Sequence, residues 1–151
     1  PVPAIIFIVL LIVFQIILSK TRFGRQVYAI GGNKNAAYLS GIKVDRIKIY
    51  AFMICAMLSS VAAMIHAAQI SQGGPNEGQG YELNAVAACA IGGTSLAGGK
   101  GTVFGTLIGA LILGMLDNVL GLKGVNSNLQ LMVKGFLIII AVFMQADKVN
   151  D

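Results

Sequence analysis

Apolar residues in this chain come in blocks separated by short polar stretches. Four blocks are strong, at residues 2–19, 49–70, 103–120 and 129–146, and one at 83–97 is weak. The first block contains VPAIIFIVLLIVFQIIL without a charge. A hydrocarbon core of ~30 Å is spanned by ~20 helical residues, so the strong blocks have the length of membrane spans. Lipid offers the backbone no hydrogen-bond partners, and uninterrupted apolar runs satisfy themselves as helices. The pattern predicts an all-α, polytopic helical membrane protein of about five membrane segments, one of them short and broken.

Composition agrees. Apolar residues make up 56% of the chain and charged residues 11%, with a mean hydropathy of +0.81. Too few charges remain to solvate a globular surface. The chain opens on Pro1 and enters an apolar run at once, with basic residues after it rather than before. That order does not fit a signal peptide, and the reading is of a piece that starts inside a larger membrane protein. Cys55 and Cys89 lie in apolar segments and are expected to serve as small buried hydrophobes, with no metal site.

Charge then orients the segments. Residues 20–48 hold Lys20, Arg22, Arg25, Lys34, Lys43, Arg46 and Lys48 against a single acid, Asp45. Positive charge marks the cytoplasmic side, so this loop is expected in the cytoplasm. The next loop, QGGPNEGQGYE at 72–82, carries two acids and no cation, as an external loop should. The net charge of +5 follows from this topology and does not point to nucleic acid. As a helix, the weak block would reach only ~22 Å. It either crosses as a broken helix or dips in and returns. Crossing puts Lys100 and Lys148 inside and Lys123 and Lys134 outside, and the cation tally is the same either way.

Some stretches invite a chemical reading. IGGTSLAGGKG at 91–101 resembles a phosphate-binding loop. Gly93 and Gly98 have the required separation, but Gly99 stands where the lysine belongs and Lys100 arrives one residue late. Gly92, Gly93, Gly98 and Gly99 are instead expected to break the short segment and turn the chain toward Val103. GGNKNAAYLSGIKVDR at 31–46 reads as a turn, a helix of about two turns and a stop. Asn33 is its N-cap, Ala36, Ala37 and Leu39 favour helix, and Gly41 suits the left-handed position past its end. The apolar Ala37, Tyr38 and Ile42 suit either the membrane interface or a groove on a partner.

Small residues recur at helical spacing, Ala56, Ser60, Ala63 and Ala67 in one span and Gly105, Gly109 and Gly114 with Ala110 in another. Both faces are expected to pack closely against other helices. His66 and Gln69 lie near the outer end of their span, and Glu82 and Asn84 flank the entry to the weak block. These four form the candidate translocation path. Asp117 and Asn118 lie near another span end, and Lys134 is expected to snorkel to the interface. No acid–base pair, nucleophile triad or ligand cluster can be assembled, so no catalytic residue is assigned and no enzyme is expected. Discontinuous helices with few buried charges point to transport of a neutral or weakly polar solute. An ion-coupled secondary carrier or channel is the alternative.

Three blocks then carry a resemblance: GRQVYAIGGNKNAAYLSGIKV (24–44), GYELNAVAACAIGGTSLAGGKGTVFGTLIGALILG (80–114) and GVNSNLQLMVKGFLIIIAV (124–142). Together they resemble the C-terminal half of the permeases of bacterial sugar ABC importers. Ribose permeases stand nearest, with galactose/methylgalactoside and autoinducer-2 permeases as relatives. The resemblance implies that residues 1–151 form the second half of a transmembrane domain in the bacterial inner membrane. It implies a second permease subunit, cytoplasmic ATPase subunits that hydrolyse the ATP, a periplasmic sugar-binding protein and no cofactor. It matches the ATPase-coupling helix to Asn33, Ala36, Ala37, Leu39, Ser40, Gly41 and Ile42, within a coupling loop at 20–48. It also favours the five-segment topology. Where the family commonly has an aspartate after Glu-Leu, this chain has Asn84, which keeps hydrogen bonding without the charge.

Overall fold

A computed structural model describes residues 2–147, and among these it contains seven helices and no strand. Lys148 lies outside the described residues. The chain divides into two compact units, 1–78 and 79–151.

The first unit opens with α1 (Val2–Lys20), a helix apolar on every side. Its end is marked by Thr21, whose hydroxyl donates back to the Ile17 carbonyl at 2.5 Å and accepts from the Gly24 amide at 3.3 Å. The side chain thereby closes one helix and caps the next, α2 (Arg22–Gly32). Gly24 is buried in this corner, and a β-carbon there would run into the carbonyl of Leu18. Residues 20–48 are therefore not one loop. Helix α2 occupies much of that span and runs through Gly31-Gly32, where a turn was expected; the turn comes at Asn33. A six-residue helix, α3 (Lys34–Leu39), follows. The last helix of the unit, α4 (Val44–Ile70), starts five residues before the apolar block does and has 27 residues. Its first turn is polar and carries Asp45, where a carboxylate faces the positive end of the helix dipole. An apolar run marks where hydrocarbon contact begins, not where the helix begins.

In the second unit α5 (Tyr81–Ile91) packs between α6 (Val103–Leu122) and α7 (Ser127–Asp147). With 11 residues α5 is only ~16 Å long. Its neighbours approach closely because glycine leaves them room. A β-carbon on Gly105 would collide with the carbonyl of Gly92, and one on Gly109 with that of Ala88. These pairings show α5 and α6 running antiparallel. Ala87, Ala88 and Leu113 are buried at the centre, with Ile91 and Ile138 against them.

Among the described residues, four helices are long and apolar enough to cross a membrane: α1, α4, α6 and, over Ser127–Gln145, α7. Hardly any of their residues are buried within the chain. That combination belongs to an integral membrane protein, in which lipid or neighbouring helices cover the apolar surface.

Candidate functional site

Two places in the chain combine special backbone with chemistry. In the first unit it is α3. The Asn33 side chain accepts from the Ala36 amide at 3.0 Å, the bond expected of an N-cap. At the other end the Ser40 hydroxyl donates to the Ala36 carbonyl at 2.8 Å. The Gly41 amide donates to Tyr38 and that of Ile42 to Ala37, at 3.0 and 3.2 Å. This is a Schellman termination, and it requires the left-handed backbone that Gly41 adopts, φ +83°. Ala37 is buried and anchors the helix to its unit. Tyr38 and Leu39 point away, 71% and 85% exposed. A rigid, capped helix thus presents two large apolar side chains amid the cations of residues 20–48. Ile42 is half-buried.

His66 lies 3.6 Å from the Glu77 carboxylate, within the same unit, and Gln69 is exposed near the end of α4. The small residues Ala56, Ser60, Ala63 and Ala67 are exposed too, so the close packing expected of them is not made within the described chain. Cys55 is likewise exposed and Cys89 only half-buried, which corrects the expectation that both are buried. In a span covered by lipid, facing outward costs an apolar thiol nothing.

The second unit holds the other place. Its weak block ends as a helix at Ile91, where the Gly93 and Thr94 amides donate to the carbonyls of Ala90 and Cys89 at 3.1 and 2.9 Å. Gly93, Gly98 and Gly99 all have positive φ, whereas Gly92 has an ordinary helical value and is there for close approach to α6. The following turn is held from a distance. Gln145 on α7 donates to the carbonyls of Ala90 and Thr94 at 3.0 and 3.1 Å, and accepts from the Leu96 amide at 3.4 Å.

Lys134 does not snorkel. It is 6% exposed, and its ammonium sits 2.8 and 3.0 Å from the two carboxylate oxygens of Asp117. These are charges on two different spanning helices, and the pairing offsets a desolvation that neither could bear alone. Sequence reading missed the pair. The available signal was that each is a charge inside an apolar block, at similar distances from the polar link between α6 and α7. Asn84 on α5 is half-buried, and its carbonyl oxygen is buried with no hydrogen-bond partner. Glu82 is exposed in the first turn of α5. Asn118 turns the other way from Asp117, into a shallow groove of about 510 Å³ that it lines with Ala110, Leu111, Gly114, Met115 and Val119.

Comparison with known proteins places this architecture. Residues 2–142 match the family described as branched-chain amino acid transport system / permease component. The chain belongs to that permease family. The ribose import permease of Bacillus subtilis (strain 168) is 48% identical over 98% of this chain and 46% of its own length. That of Escherichia coli (strain K12) is 49% identical over the same shares. The xylose transport system permease of Haemophilus influenzae is 46% identical over 95% of this chain and 38% of its own. This permease chain therefore spans less than half the length of these relatives. No solved structure matches it.

Proposed function

We propose that this chain is part of the transmembrane permease of an ATP-driven importer that carries a monosaccharide across the bacterial inner membrane. The observation that carries the proposal is the near-half identity to ribose import permeases along almost the whole chain. Ribose or a similar pentose is the expected cargo, delivered by a periplasmic binding protein to a dimer of permease subunits. The cationic segment at 20–48 is cytoplasmic, α5 is the short fifth segment, and Lys100 marks the cytoplasmic turn between α5 and α6. The ATP is hydrolysed by a separate subunit.

The α3 helix is the docking element for that ATPase, and its exposed Tyr38 and Leu39 support the assignment. A short helix held at both ends by hydrogen bonds transmits a push without bending. Gly41→Val places a β-branched residue at φ +83° and undoes the termination. Co-purification of the ATPase and uptake of labelled ribose are both expected to fall at least tenfold, with permease still in the membrane. Unchanged co-purification and uptake would refute the coupling role. Uptake that persists when the ATPase is inactivated, and follows an ion gradient instead, would show a secondary carrier.

A further inference from the structure

The core of the second unit ends in a polar layer. Its apolar layer consists of Ala87 and Ala88 on α5 and Leu113 on α6, with Ile138 of α7 against them. One helical turn from each, in the direction of Tyr81, stand Asn84, Asp117 and Lys134. Each of the three helices thus contributes one polar side chain at the same end of the core.

The hydrogen-bonding capacity of this layer is not used up. An ammonium has three protons, and that of Lys134 makes its contacts with Asp117 alone among the described residues. Asn84 offers a buried carbonyl oxygen with no donor. The Asp117 side chain is 36% exposed, against 8% for Lys134, yet its Oδ1 is buried and accepts no hydrogen bond, so the layer holds a second unused acceptor beside the ion pair. An unused donor and two unused acceptors beside a partly exposed aspartate are complementary to hydroxyl groups, each of which donates and accepts at once. The paired charges cancel, so a neutral polyol can enter without leaving a charge uncompensated, whereas an ionic solute could not.

We propose that Asn84, Asp117 and Lys134 form a hydroxyl-binding subsite for the monosaccharide on its way through the membrane. The proposal rests on the sugar-import reading and adds where in this chain the sugar is touched. Asn84 and the Asp117 carboxylate accept from sugar hydroxyls, and the remaining Lys134 proton is donated to one. A site of so few contacts holds its ligand briefly, as a path must.

The test is initial uptake of labelled D-ribose and D-xylose, per permease molecule in the membrane, in cells that also express the ATPase and binding protein. Asn84→Leu removes the acceptor and is expected to lower uptake at least tenfold, while Asn84→Asp, which keeps an acceptor, retains most of it. The exchange variant Asp117→Lys with Lys134→Asp rebuilds the ion pair in reverse. A purely structural pair predicts that the exchange restores both membrane level and uptake. The subsite predicts recovery of the level with uptake still depressed, because donor and acceptor have traded places around Asn84. Wild-type uptake by Asn84→Leu, or by the exchange variant, overturns the subsite and leaves the sugar reading standing. If the unmodified permease imports neither sugar, the sugar reading falls and the subsite with it.

Discussion

Two glycines of α6 show how one residue type does opposite jobs on one helix. Gly109 lies against the α5 backbone, and a β-carbon there would meet the Ala88 carbonyl; Gly114 has nothing within 4 Å. The methyl of Gly109→Ala must push two helices apart, a kind of overpacking that costs about 1–3 kcal/mol. Gly114→Ala meets no obstacle and gains up to ~1 kcal/mol of helix propensity. Thermal unfolding of the detergent-solubilised permease should therefore give a lower Tm for the first variant and an equal or higher one for the second. Both glycines belong to the same small-residue pattern, so spacing alone could not separate them. What separates them is which face of α6 another helix occupies. Asp117 and Lys134 illustrate the same limit, since a charge in an apolar run announces a cost but not the partner that offsets it.

Among the elements, α5 depends most on the rest of its unit. It is short, it ends in a glycine turn, and the turn is tied to α7 through Gln145. Gln145→Leu deletes two bonds to carbonyls and one from an amide. Leaving those groups unpaired costs about 1–3 kcal/mol each where they are buried. Amide exchange at residues 92–101 should accelerate while α6 and α7 keep their protection; equal exchange in both proteins would show that the tie is idle. The helices themselves were legible to different degrees. Long apolar runs revealed α1, α6 and α7 almost to their ends, because hydrocarbon selects composition directly. The caps of α3 were legible as well, since Asn33 and Gly41 act within a few residues of themselves. Helix α2 was not, because its few apolar residues are interleaved with cations and two glycines close it. The Gln145 tie joins residues some fifty positions apart, and nothing local marks it.

At the scale of the molecule, the apolar surface is outside. Phe52, Met57, Phe104, Met115, Phe136 and Phe143 are each more than half exposed, while among the described residues only Lys134 and a handful of small or aliphatic side chains are buried. In water such a surface would drive aggregation. The chain should stay with the membrane pellet through alkaline carbonate and urea washes and leave it only in detergent, as immunoblotting of the fractions would show. Release by carbonate would contradict its assignment as an integral membrane protein. Each of the two units contains long spans.

The Asp117–Lys134 pair also bears on how the protein is made. Synthesis runs from α6 to α7, so the carboxylate emerges first and lacks its Lys134 partner until the third turn of α7 leaves the ribosome. An aspartate costs about 2.5–3.5 kcal/mol on insertion scales at the centre of an inserting helix, and less at a position such as Asp117, nearer the end of α6. Helix α6 can accept that cost for the time it takes to translate one polar link and two turns, or it can wait at the translocon and enter lipid together with α7. The second course makes the pair of helices a single unit of biogenesis, committed to the bilayer only when its charges have met.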